Sequence, residues 1–137
     1  MKNSREAGKR GEREAAKYLA SLGFGEYGND TRRGQQHRGG RDSPDVICEA
    51  LSAVHIEVKV GSPAYIDLGP RLVAAMEQAI NDAAPAEKVP MVLWRNPRRL
   101  WRLSYYDGRD RLVTVFGDGN IRETLAQYAV KQAEAQA

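Results

Sequence analysis

Apolar and polar positions alternate most regularly over residues 54–60, where Val54, Ile56, Val58 and Val60 interleave with His55, Glu57 and Lys59. A period of two over seven residues predicts a strand with one face turned to a core. Upstream the period is helical. Ala7, Ala15, Ala16, Leu19 and Leu22 recur at helical spacing over residues 5–22, Ser4 stands at the capping position and Gly23 at the stop. Residues 28–43 carry Gly, Arg and Asn without an apolar period and predict a loop, followed by a short strand over 45–49. Residues 70–84 predict a second helix with Leu72, Met76, Ala79, Ile80 and Ala83 as its stripe. Strands are expected over 91–94, 100–106 and 112–116, the last two joined by the turn dipeptide Asp107-Gly108. A final helix over 121–134 presents Ile121, Leu125 and Tyr128. Helix, strands, helix, strands, helix is the order of an α/β fold, a mixed central sheet flanked by helices.

Length adds that 137 residues fit a single domain, 1–137, with a core about 5–106 and a C-terminal hairpin and helix over 107–134. The 42% hydrophobic content is enough for a globular core. One cysteine, Cys48, cannot close an internal disulfide, which suits a reducing cytoplasm. The N-terminal MKNSREAGKRGERE lacks the apolar centre of a signal peptide, and no apolar run has the length of a membrane span, so no membrane partner is expected. A net charge of +3 says little by itself; the distribution says more.

The chemistry concentrates at the predicted hairpin. A three-residue turn at Ala50–Ser52 sets Glu49 opposite Ala53 and Asp45 opposite Glu57, while Glu57 and Lys59 share a strand face. Two adjacent carboxylates repel and raise each other's pKa. A hard divalent cation such as Mg²⁺ removes that repulsion, and Lys59 beside it suits water or a phosphate oxygen. Such a set is complete for hydrolysis of a phosphate ester. The bland alternative places Asp45 at a strand end and Glu57 and Lys59 on a solvated face.

Glu12 lies within the inward stripe of the first helix, beside Ala15, Ala16 and Leu19. A buried charge needs a partner. A metal or its water is one candidate, and a salt bridge to a nearby arginine is the other. The segment 31–42 carries Arg32, Arg33, Arg38 and Arg41 with His37 and several glycines, and it runs directly into Pro44-Asp45. Arginine forks and glycine backbone suit a phosphodiester chain, and Lys9 and Arg10 extend the basic patch. His37 is expected to do no more than touch phosphate, and His55 to neighbour the site. A second cluster, Arg95, Arg98, Arg99 and Arg102, is open between DNA contact and solvated surface.

Gly8-Lys-Arg-Gly-Glu12-Arg-Glu14, Gly23-Phe24, a basic loop, Pro44-Asp45-Val46-Ile47 and Ile56-Glu57-Val58-Lys59 follow one another in the order seen in archaeal-type Holliday junction resolvases (Hjc), which the chain resembles over roughly residues 5–95. That resemblance implies the PD-(D/E)xK nuclease core, with Glu12, Asp45, Glu57 and Lys59 as catalytic residues. It further implies Mg²⁺, with Mn²⁺ as a possible substitute, bound by Asp45, Glu57, the Val58 carbonyl and Glu12. Gln78, in the second helix, matches a glutamine common in related nucleases, although the helical wheel puts it off the apolar face. The expected protein is a homodimeric endonuclease cutting four-way DNA junctions in a bacterial or phage-infected cytoplasm. A flap, nick or duplex nuclease on the same core and a non-catalytic DNA-binding protein are the alternatives. The Arg95–Arg102 hairpin and the last helix have no clear counterpart in the family.

Overall fold

The computed structural model describes residues 4–34, 44–61, 69–96, 98–108 and 110–136. Its elements run α1 (Ser4–Ser21), β1 (Thr31–Arg33), β2 (Val46–Cys48), β3 (Val54–Val60), α2 (Pro70–Ala83), β4 (Val89–Arg95), β5 (Arg102–Tyr106), β6 (Leu112–Phe116) and α3 (Asp118–Gln136). The six strands form one sheet in the order β1-β2-β3-β4-β5-β6. Every neighbouring pair is antiparallel except β3 and β4. A parallel pair needs a crossover, and α2 supplies it.

The alternation in β3 turns its apolar side chains to one face of the sheet. Val54, Ile56 and Val58 join Met91 and Leu93 of β4 in a core closed by Ala15, Ala16 and Leu19 of α1 and by Ile121 and Leu125 of α3. On the opposite face Val92 and Trp94 of β4 pack against Leu72, Ala75, Met76 and Ala79 of α2. His55, Glu57 and Lys59 alternate with the first set, so they belong to the α2 side. Trp94 keeps its ring nitrogen satisfied inside this layer by donating to Ser104 Oγ at 2.8 Å.

Three expectations need correction. Part of the predicted 28–43 loop is strand: Thr31, Arg32 and Arg33 pair with Cys48, Ile47 and Val46. Three residues rich in arginine carry no period of their own, and β2 supplies their backbone partners. The 45–49 strand is shorter, since Asp45 falls just before β2 and Glu49 opens a 3-10 turn, Glu49–Leu51. The 100–106 strand starts two residues later, because Trp101 turns into the core beside α1.

α1 crosses the sheet closely at Gly11, where a Cβ would lie 3.0 Å from Val60 Cγ2. Gly34 is more tightly constrained. Its N–H donates to the Asp45 carbonyl at 2.8 Å, and a Cβ there would collide with the Pro44 carbonyl oxygen. Both contacts hold the backbone that carries the acidic side chains.

A candidate metal-dependent catalytic centre

The hairpin register is the predicted one as far as it goes: Val46 is opposite Ile56. One residue further, the Asp45 N–H donates to the Ile56 carbonyl at 3.1 Å, so two consecutive residues share one partner, as in a β-bulge. The bulge ends the β2–β3 pairing and re-aims Asp45. Its Oδ2 accepts a 2.8 Å hydrogen bond from the Val58 N–H, the group that a continued β2 would have bonded. In extended backbone the N–H and C=O of one residue leave the same edge, so the Val58 carbonyl faces this opening as well.

Through the opening, both helical layers reach the sheet. A cleft of about 290 Å³ is lined by Gly11 and Glu12 of α1, Asp45, Val58 and Lys59, and Gln78 of α2. Gln78 is exposed, off the apolar stripe of its helix, and for that reason it meets the cleft. Its Oε1 accepts from Lys59 Nζ at 3.4 Å, the long end of hydrogen bonding.

Asp45 interacts with Glu12 on one side and with Glu57 on the other. Asp45 and Glu57 are 5% and 1% exposed. Burial, with the Glu57 charge and a shared hydrogen bond next in order, raises Asp45 to about 7. Glu12 also rises to about 7, first by burial and then by the Asp45 charge, with Arg33 and Lys59 opposing. Glu57 is raised chiefly by burial, and the Asp82 charge adds to it. The arginine reading of Glu12 is the one seen: its Oε1 stands 3.7 Å from Arg33 Nη1, and its carboxylate also interacts with Asp45.

The donor set fits a hard divalent cation. Glu57 Oε2 is buried without a hydrogen-bond partner among the described residues, although its carboxylate touches Asp45 and Asp82. Facing carboxylates cannot donate to each other when ionised, so either protons or a cation must lie between them. Asp45, Glu57, Glu12 and the Val58 carbonyl offer only oxygen, the donor type Mg²⁺ takes, although the three acids are not gathered as closely as the ligand atoms of His55, Glu57 and Asp82.

The remaining expected residues divide. Arg33 Nη1 also donates to the Gly34 carbonyl at 2.9 Å, so this arginine braces the site as well as bordering it. Arg32 donates to the Asn29 carbonyl at 2.7 Å and stands 3.8 Å from Glu49. Lys9 stands 3.8 Å from Glu6, and Arg10 is exposed. His37, Arg38 and Arg41 lie outside the described residues. The second arginine cluster is partly structural: Arg95 binds Glu14 at 2.5 Å and stacks 4.3 Å over Trp101, while Arg102 lies over Trp94. Sequence reasoning missed Asp82. It sits on the polar side of α2 with no motif around it, and only the fold brings it to Glu57.

No protein-family model matches the chain, and no curated protein matches it in sequence. Among solved structures it is similar to Hjc, a Holliday junction resolvase from the archaeal hyperthermophile Archaeoglobus fulgidus, with a TM-score of 0.51 and 16% identity over 87% of this chain and 98% of that one. The mixed six-stranded sheet with its three helices thus shares the fold of that protein.

Proposed function

We propose that this chain is a Mg²⁺-dependent, structure-selective DNA endonuclease, a Holliday junction resolvase that works as a homodimer. The observation that carries this reading is the convergence of Glu12, Asp45 and Lys59 from three separate chain segments on one opening in the sheet, with Glu57 buried behind it against Asp45. The solved protein sharing the fold is itself a Holliday junction resolvase.

A divalent cation held there supplies Lewis acidity toward a phosphodiester and toward water. The residues do the rest. The Val58 N–H fixes the Asp45 carboxylate, and the buried wall fixes Glu57. Lys59, steadied by Gln78, offers its ammonium to the attacking water and to charge gathering on the phosphate oxygens. Glu12 supports the cation or its water shell. Arg32, Arg33, Lys9 and Arg10, with Arg38 and Arg41 of the basic segment, hold the phosphates on either side. A two-fold junction is matched by a two-fold protein, which is the argument for a dimer.

The test is a synthetic four-way junction, incubated with and without Mg²⁺, with flaps, nicked DNA and linear duplex run beside it and all product lengths resolved. The expected result is paired, Mg²⁺-dependent cuts near the branch point. Lys59→Ala should lower the rate by about 10²–10³-fold, the scale of one lost transition-state donor, and Asp45→Ala should abolish cutting. Both should leave junction binding nearly intact. Equal cutting of linear duplex would overturn the resolvase reading. Binding without any metal-dependent cut would make the chain a DNA-binding protein on a nuclease scaffold.

A further inference from the structure

Behind the cleft, where α2 covers β3, a second set of ligand atoms meets. His55 and Glu57, two apart on β3, are 0% and 1% exposed, and Asp82 approaches them, half-buried, from the last turn of α2. One ligand atom from each residue lies within 4.8 Å of the other two. His55 Nε2 and Glu57 Oε1 are 2.8 Å apart. Donors about 2.1 Å from a common ion stand about 3.0 Å apart when adjacent and about 4.2 Å when opposed, so the cluster has nearly the dimensions of a coordination sphere.

A second observation points the same way. The other Glu57 oxygen, Oε2, is buried with no hydrogen-bond partner among the described residues, in a carboxylate that touches Asp82 as well as Asp45. Two oxygens allow one carboxylate to serve two ions, as in centres whose metals lie about 4 Å apart. An imidazole nitrogen beside two carboxylates also changes the preferred ion. Such a set favours Mn²⁺ or, more strongly, Zn²⁺ over Mg²⁺, which keeps to oxygen and water.

We propose that His55, Glu57 and Asp82 form a second divalent-metal site, selective for a transition-metal ion, with Glu57 shared between it and the Asp45 site. The sharing of Glu57 and the count of two ions rest on the Asp45 site of the nuclease reading; the His55–Glu57–Asp82 site itself does not, since an ion held here requires no DNA.

Mn²⁺ is the probe. Equilibrium dialysis of the full chain counts bound ions, and pulsed electron paramagnetic resonance detects nitrogen beside the metal. The wild-type chain should bind two Mn²⁺ and show nitrogen modulation. Asp45→Asn should bind one and keep the modulation. Asp82→Asn should bind one and lose it, and His55→Gln should lose it too. His37→Gln, which removes the other histidine, should keep it. Circular dichroism melts establish that each variant is folded. The wild-type spectrum needs no variant, and absence of nitrogen modulation there overturns the proposal. So does modulation that survives His55→Gln or disappears in His37→Gln. One ion without nitrogen, lost in Asp45→Asn alone, would leave the Asp45 site standing and remove the second. No bound ion in any form would remove both.

Discussion

Asp45 and Glu12 hold their protons to about pH 7, whereas ordinary values for the two groups are 3.8 and 4.5. The raised values make the site a cost to the folded chain at neutral pH. Below about pH 4 both carboxyls are protonated whether the chain is folded or not, and the contribution of their protonated, buried forms is fully present. As pH climbs from about 4 towards 7, the unfolded chain releases these protons and the folded chain keeps them, so stability falls across that window. Metal-free protein should therefore melt lower at pH 8 than at pH 5.5. Asp45→Asn should flatten this difference, because an amide does not titrate. Mg²⁺ added at pH 8 should raise the wild-type melting temperature and change that of Asp45→Asn much less. Thermal melts in chelator and in Mg²⁺ at the two pH values are the measurement. A wild-type chain that gains stability from pH 5.5 to 8 in chelator would contradict the burial of these acids.

Elements place those residues, and the contact between α1 and β3 sets the distance from Glu12 to the sheet. Gly11 faces Val60 at the crossing, and Gly8, one turn earlier, has nothing within 4 Å of an added Cβ. Gly8→Ala should stabilise the chain by about 0.5–1 kcal/mol, since it relieves the helix of a glycine. Gly11→Leu should destabilise it by about 1–3 kcal/mol, because the added side chain must push the helix off Val60. Urea unfolding measures both, and equal effects would show that the crossing is looser than it looks. The pair also marks what was legible in the sequence. Periodicity carried α1, β3 and α2, and the short connection between residues 48 and 54 carried the hairpin register, so Asp45, Glu57 and Lys59 could be grouped before any coordinates. The bulge at Asp45 was not legible, because it depends on the Ile56 carbonyl across the hairpin. β1 was hidden for a similar reason: its three residues are a strand only because β2 lies beside them. Asp82 was out of reach altogether, being brought to Glu57 by the crossover that makes β4 parallel to β3.

At the scale of the whole molecule, Glu12 and Asp45 lie where the sheet is incomplete, with Glu57 buried beside Asp45. β3 keeps its β4 partner from Val54 to Val60 but loses β2 beyond Ile56, and helices from both faces fill the difference. One such opening holds one lysine and one set of carboxylates, enough to act on a single phosphodiester at a time. Resolution of a four-way junction requires two cuts, symmetrically placed. If the chain works as the proposed dimer, each protomer's cleft owns one cut. Dimers mixed from wild-type and Asp45→Ala protomers, purified by two different affinity tags, should then nick one strand of an immobile junction and leave its symmetric counterpart whole. Wild-type dimers should convert the same junction to linear duplexes in a single binding event. The products separate on a native gel, where a singly nicked junction keeps its branched mobility and a resolved one does not. Full resolution by the mixed dimer would mean that one cleft visits both strands, and sedimentation at twice the mass of the chain would then lose its functional meaning. A nick confined to one strand would tie the geometry of a single sheet opening to the symmetry of the substrate.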